Sequence, residues 1–246
     1  MSNSAGYFGK FPELGDFVQR RLPGSFVDGW DEWLQGSVFT SKEMLGESWL
    51  RAYLSSPVWR FCIATGVCGE SPWCGLLMPS VDRVGRYFPL TLACQLPADC
   101  NLLHIGMQGQ PWFNAAEEVL LGVLQSTDFN LERFDDIVLG LGTMDVLADY
   151  SASSTDVGYG SSWRIPLGEG GHLGPAVLGL AHQLLLQHIG AYSIWWSMGS
   201  DLVAPSFLLS RGMPVASNYA GMLNGDWASG TWMEMPVTIT TPSDQA

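Results

Sequence analysis

The sequence predicts an α+β fold: one mixed, largely antiparallel sheet held between helical layers as a three-layer α-β-α sandwich. Three observations lead there. Short runs rich in aromatic and β-branched residues cluster as hairpins. Longer runs with a 3.6-residue apolar period stand before and between them. No internal repeat is present, so the strands belong to one sheet covered on both faces rather than to a solenoid.

The elements follow in order. Residues 6–11 read as a first strand, turned by Pro12 and the Gly15-Asp16 pair. Ser25, with Asp28 three residues on, caps a helix whose stripe is Phe26, Trp30, Trp33 and Leu34, and Gly36 is expected to end it. Thr40 and Glu43 form a capping box for a second helix lined by Leu45, Trp49 and Tyr53. Strands are predicted at Val58–Thr65, Trp73–Met78 and Tyr87–Gln95. The connection Pro79–Arg86 carries Asp82, Arg83 and Arg86, too polar to be buried unpaired. A helix opens at Pro111 with Phe113, Ala116, Leu120, Val123 and Leu124 on one stripe. Residues 126–161 lack a clear period, and Tyr150–Gly160 reads as a mobile loop. A strand at Trp163–Leu167 precedes a helix at Pro175–His188, with Val177, Leu180, Ala181, Leu184 and Leu185 inward. A hairpin of Tyr192–Met198 and Ala204–Ser210 follows, then a strand at Trp227–Met235. Residues 1–235 thus form one domain, and 236–246 a disordered tail.

Composition supports a thick core. Hydrophobic residues make up 47% of the 246, with eleven tryptophans, and charged residues only 14%, where about 25% is usual. The net charge of −13 is lopsided. Residues 1–100 hold ten acids against eight bases (−2), residues 101–246 fourteen against three (−11). Such a field repels phosphate, which argues against nucleic acid and anionic lipid as partners. The start of the chain lacks a basic then apolar leader. The apolar stretch Ala176–Trp196 is broken by His182, Gln183, Gln187, His188 and Gly190, so no membrane insertion is expected. Five cysteines without C-x-x-C spacing suggest reduced thiols, and hence the cytoplasm.

Catalytic signatures are missing: no nucleophile elbow, zinc helix, phosphate-binding loop with lysine, or paired cysteines occurs. His182 and His188, six apart, fall on different faces of a helix, so no metal is expected. Asp135-Asp136 reads as a solvated face rather than an acid/base pair. The alternative to a protein without catalysis is a small nucleotide- or phosphate-binding enzyme or sensor using the Gly168–Gly174 loop before a helix. That loop lacks a following lysine, and Glu169 would repel phosphate.

Three stretches go further. They are Gly9-Lys10-Phe11-Pro12-Glu13-Leu14-Gly15-Asp16 running on through Arg20, Arg21 and Pro23 to Trp30-Asp31-Glu32-Trp33; Ser56-Pro57-Val58-Trp59-Arg60; and Pro79 to Leu90 with Asp82, Arg83 and Arg86. In this order they resemble the TagF (ImpM) family, encoded with bacterial type VI secretion systems. Trp195-Trp196 and Ser210–Pro214 resemble the end of the same family. The resemblance spans roughly residues 6–215 and is specific in the first hundred. It implies a single α/β unit that needs no cofactor and represses secretion post-translationally by binding the system's forkhead-associated scaffold protein. Some family members carry a fused PppA-type phosphatase domain; 246 residues leave no room for one, so such an enzyme is expected as a separate chain.

The polar members of the matched motifs are Lys10, Asp16, Arg20, Arg21, Asp82, Arg83 and Arg86. Two roles stay open for them: ties between turns, or a partner surface. In either role the charges near the chain start are expected to meet those of the Pro79–Arg86 connection, with Asp16 within salt-bridge reach of Arg83 or Arg86, because Asp82 adjoins Arg83 in sequence.

Overall fold

A computed structural model of the chain describes residues 4–126, 128–144, 164–165, 167 and 172–235. Its strands are β1 (Gly6–Gly9), β2 (Val18–Arg20), β3 (Trp59–Ile63), β4 (Trp73–Met78), β5 (Leu90–Gln95), β6 (Tyr192–Ser197) and β7 (Ser206–Arg211). They form one sheet in the order β2-β1-β5-β4-β3-β6-β7, and every described pairing is antiparallel. The helices are α1 (Gly24–Leu45), α2 (Trp49–Leu54), α3 (Leu102–Gln108), α4 (Gln110–Gln125), α5 (Leu131–Gly140), α6 (Leu173–His188) and α7 (Asn218–Asn224).

Strand alternation divides the core in two. Trp59, Phe61 and Ile63 of β3 join Trp195 of β6 on one face, under Trp30 and Leu34 of α1 and Met222 of α7. Cys62, Cys74, Cys94 and Ile194 face the other way, against Ile105 of α3, Phe113 and Leu120 of α4, and Phe134 of α5. Both faces being covered, β3 and β4 are buried at every position, which is why they read as apolar runs. The tryptophans fill the first layer without stranding their N–H groups: Trp30 Nε1 donates to Thr91 Oγ1 at 2.8 Å and Trp59 Nε1 to the Met222 carbonyl at 3.0 Å.

The predicted layers are present, but several elements differ. Gly36 does not end the first helix. α1 runs from Pro23, which caps it in place of Ser25, to Gly46, absorbing the expected second start at Thr40. A mid-helix glycine costs only about 1 kcal/mol, and the stripe continues through buried Ser37 and Ser41. Gly46, at φ 51, is the residue that stops it. β2, α3, α5 and α7 were not foreseen. Asn101 and Asn130 cap α3 and α5 through their side chains. No strand forms at Trp227–Met235, where a 3-10 turn (Trp227–Ser229) packs beside α7. On α4 the stripe holds except at exposed Leu124, and on α6 only His182 is buried while Val177 is exposed. The expected loop Tyr150–Gly160 and the tail 236–246 lie outside the described residues, as do parts of the Trp163–Leu167 and Gly168–Gly174 segments.

Candidate functional site

The matched motifs converge where the end of β1 meets the 79–88 connection. Gly9 closes β1 at φ 139, and a side chain there would begin 2.2 Å from the Pro89 carbonyl. That close approach delivers Lys10 to Asp82. The Lys10 ammonium and the Asp82 carboxylate form an ion pair, with both side chains almost wholly buried. Arg86 Nε donates to the same Asp82 oxygen, Oδ2, at 2.7 Å. The other oxygen, Oδ1, accepts from the Arg86 and Val84 amides at 2.8 and 3.0 Å. Asp82 therefore neutralises Lys10 while folding its own loop back on itself.

Burial pushes the Asp82 carboxyl up, but the bonds from Lys10, the Arg86 amide, the Arg86 side chain and the Val84 amide together outweigh it. Its pKa lies well below the usual carboxylate range. Phe17 covers this cluster. Lys10 Nζ sits 4.7 Å from its ring centre, and the ring packs on Phe8 and Phe88.

Backbone bonds lock the two loops together. The Arg83 amide donates to the Leu14 carbonyl at 3.1 Å, and the Arg86 guanidinium donates to the Gly15 carbonyl. Ser80 Oγ donates to the Lys10 carbonyl at 2.7 Å, while Tyr53 OH donates to the Ser80 carbonyl at 2.9 Å.

The charges expected to meet do so, through a different acid. Asp16 is exposed and has no salt bridge among the described residues; Asp82 takes the role. Asp82 cannot easily face its neighbour Arg83, but Arg86, four residues on, returns to it across a tight turn (Gly85 N–H to Asp82 carbonyl, 2.9 Å). Arg83 and Val84 on one loop and Asp16 and Phe17 on the other are exposed, so the bound loops carry apolar and charged groups on their outer side.

Arg20 and Arg21 go elsewhere. Arg21, at φ 56, donates to Asp135 at 2.7 Å and to the Ala5 carbonyl at 2.8 Å. Arg20 reaches Glu132 at 3.7 Å on the open surface. Asp135 is thus a structural partner, and its neighbour Asp136 is exposed.

Sequence reasoning passed over Arg60. It is buried and bonds three side chains of α4: Glu117 at 2.9 Å, Gln110 at 2.7 Å and Asn114 at 2.8 Å. Its place in a matched motif, inside an otherwise apolar strand, was the available signal.

Chemistry elsewhere is subdued. All five cysteines are buried thiols. Burial raises the Cys68 and Cys100 thiols to about 12, and Cys62 and Cys74 well above the usual thiol value, so these stay protonated at neutral pH. His182 bonds Tyr192 OH, and burial lowers its pKa to about 4. Among the described residues no cluster of three or more His, Cys, Asp or Glu is placed to hold a metal ion. No described helix is long and apolar enough to cross a membrane.

Fold and junction together define an antiparallel α+β protein whose N-terminal motifs build a braced loop platform. Residues 6–141 match the family described as "TagF N-terminal domain, Type VI secretion system-associated". The chain belongs to the TagF family of type VI secretion system-associated proteins. It is also similar to PA0076 from Pseudomonas aeruginosa PAO1, known from a crystal structure. The two are 33% identical with a TM-score of 0.76, over 97% of this chain and 100% of that one. No curated protein matches significantly.

Proposed function

We propose that this protein acts without catalysis, as a cytoplasmic post-translational repressor of a type VI secretion system that binds the system's forkhead-associated scaffold protein. The observation that carries the reading is the junction itself. Its buried charges, Lys10 and Asp82, are spent on each other, while Asp16, Phe17, Arg83 and Val84 are among the matched-motif residues left exposed. A rigid patch with exposed apolar and charged groups suits protein docking, since little ordering is required on binding.

The test is a pull-down of the scaffold protein from a type VI-competent bacterium, combined with secretion assays. Overproduction is expected to silence secretion while the abundance of the machine's components stays constant. Arg83→Glu and Val84→Asp are expected to weaken capture at least tenfold with the melting temperature unchanged. A fall in component abundance, or full capture by both variants, would overturn the mechanism or the docking face respectively.

A further inference from the structure

We propose that β7 is a self-association edge, through which two copies of this chain join their sheets into one continuous antiparallel sheet. The backbone geometry sets this up. Gly212 N–H bonds the Ala191 carbonyl at 2.8 Å, continuing the β6–β7 ladder. By strand alternation Leu208 and Ser210 point their backbone groups toward β6, while Phe207, Leu209 and Arg211 point theirs away from the sheet. Among the described residues those outward groups take one hydrogen bond, from Ser210 Oγ to the Arg211 carbonyl at 3.3 Å.

Natural sheet edges are commonly blunted by shortness, lysine, proline or a bulge. The opposite edge, β2, follows that rule: it has three residues, ends in Arg20 and is followed by Arg21. β7 does not. It pairs with β6 over six consecutive residues without a bulge, and residues 202–218 carry a single charge, Arg211. Phe207 is 60% exposed and lines an apolar groove of about 540 Å³ with Met107, Leu178 and Trp196.

A second copy fits this edge better than an unrelated strand because the edge is self-complementary. An antiparallel pairing centred on Leu209 sets Leu209 against Leu209, and Phe207 against Arg211 of the other copy, twice by symmetry. Every outward N–H of one copy then meets an outward C=O of the other. Each Phe207 ring receives a guanidinium, a favourable cation–π pair. Arg211 also comes to the end of the strand where the 198–205 connection of the other copy carries exposed Asp201, so the one local charge gains an opposite. The net charge of −13 opposes association at long range and is screened by salt, so the dimer should strengthen as salt rises.

Light scattering on the purified full chain tests this. The expected mass is twice 26.8 kDa. Phe207→Pro removes an outward N–H and leaves the chain's own ladder intact, so it should give a folded monomer. Phe207→Lys should do the same, and decides the matter if the proline variant misfolds. Leu209→Cys should form a disulfide between copies on non-reducing gels. Directly bonded residue pairs lie about 5.5 Å apart at Cα, within disulfide range, and the native thiols are all buried. A monomeric wild type, as expected if β7 awaits an extended segment of another protein, overturns the proposal. So does a dimer that survives both Phe207 variants, or one that Leu209→Cys does not cross-link.

Discussion

Lys10 and Arg20 sit at opposite ends of the β1–β2 hairpin, and both are cations of the matched motifs. Lys10 lies at the turn end with its side chain 4% exposed, against a carboxylate that water does not reach. Arg20 lies at the open end, 47% exposed, 3.7 Å from a glutamate that is 81% exposed. Both are ion pairs, yet they differ in what breaking them costs. Removing Asp82 would leave an ammonium in a dry site and take from the 81–87 turn the acceptor of its amides. Removing Arg20 hands both groups back to water. Burial, rather than charge, separates a structural tie from a surface decoration.

The sharpest way to break this comparison is Asp82→Ala. It is expected to lower the melting temperature by roughly 10 °C or more, the scale for stranding a buried charge in a chain of this size. A change of a degree or two in a thermal melt would mean that Lys10 readily finds water, and the distinction would collapse.

An effect of intermediate size separates the two ends by pH. Asp82 has a folded-state pKa depressed below its unfolded value, so its contribution is fully present above about pH 4. It is lost progressively as the pH falls from there toward the folded value. Urea midpoints measured from pH 7 to pH 2 should therefore fall on the acid side, and Asp82→Asn should flatten that limb. An equally steep limb in the variant would assign the acid sensitivity to other carboxylates.

The smallest effect belongs to the open end. Arg20→Ala is expected to change stability by under about 0.5 kcal/mol. A loss several times larger in equilibrium unfolding would show that the Glu132 pair braces α5 against the sheet.

Local signals in the sequence were enough for the largely antiparallel sheet and its two helical layers. Alternation, capping residues and turn chemistry act over a few positions, and they placed β3, β4, β5, α4 and the β6–β7 hairpin. The same local view misled at Gly36, where the apolar stripe outweighed a weak helix breaker. It also missed α7, where Asn218 to Leu223 are all buried and so show no amphipathic period. Only the tertiary structure decided which acid closes the cluster. In sequence Asp16 is the favoured acid because Asp82 adjoins Arg83, and what reverses the order is the passage of Gly9 against the Pro89 carbonyl, which points Lys10 inward onto Asp82 and leaves Asp16 in water. The same holds for Arg60, whose partners are 50 to 57 residues away on α4 and come within reach only once that helix lies across the sheet. Charge pairing between distant segments depends on distance and dielectric, and both are properties of the packed chain.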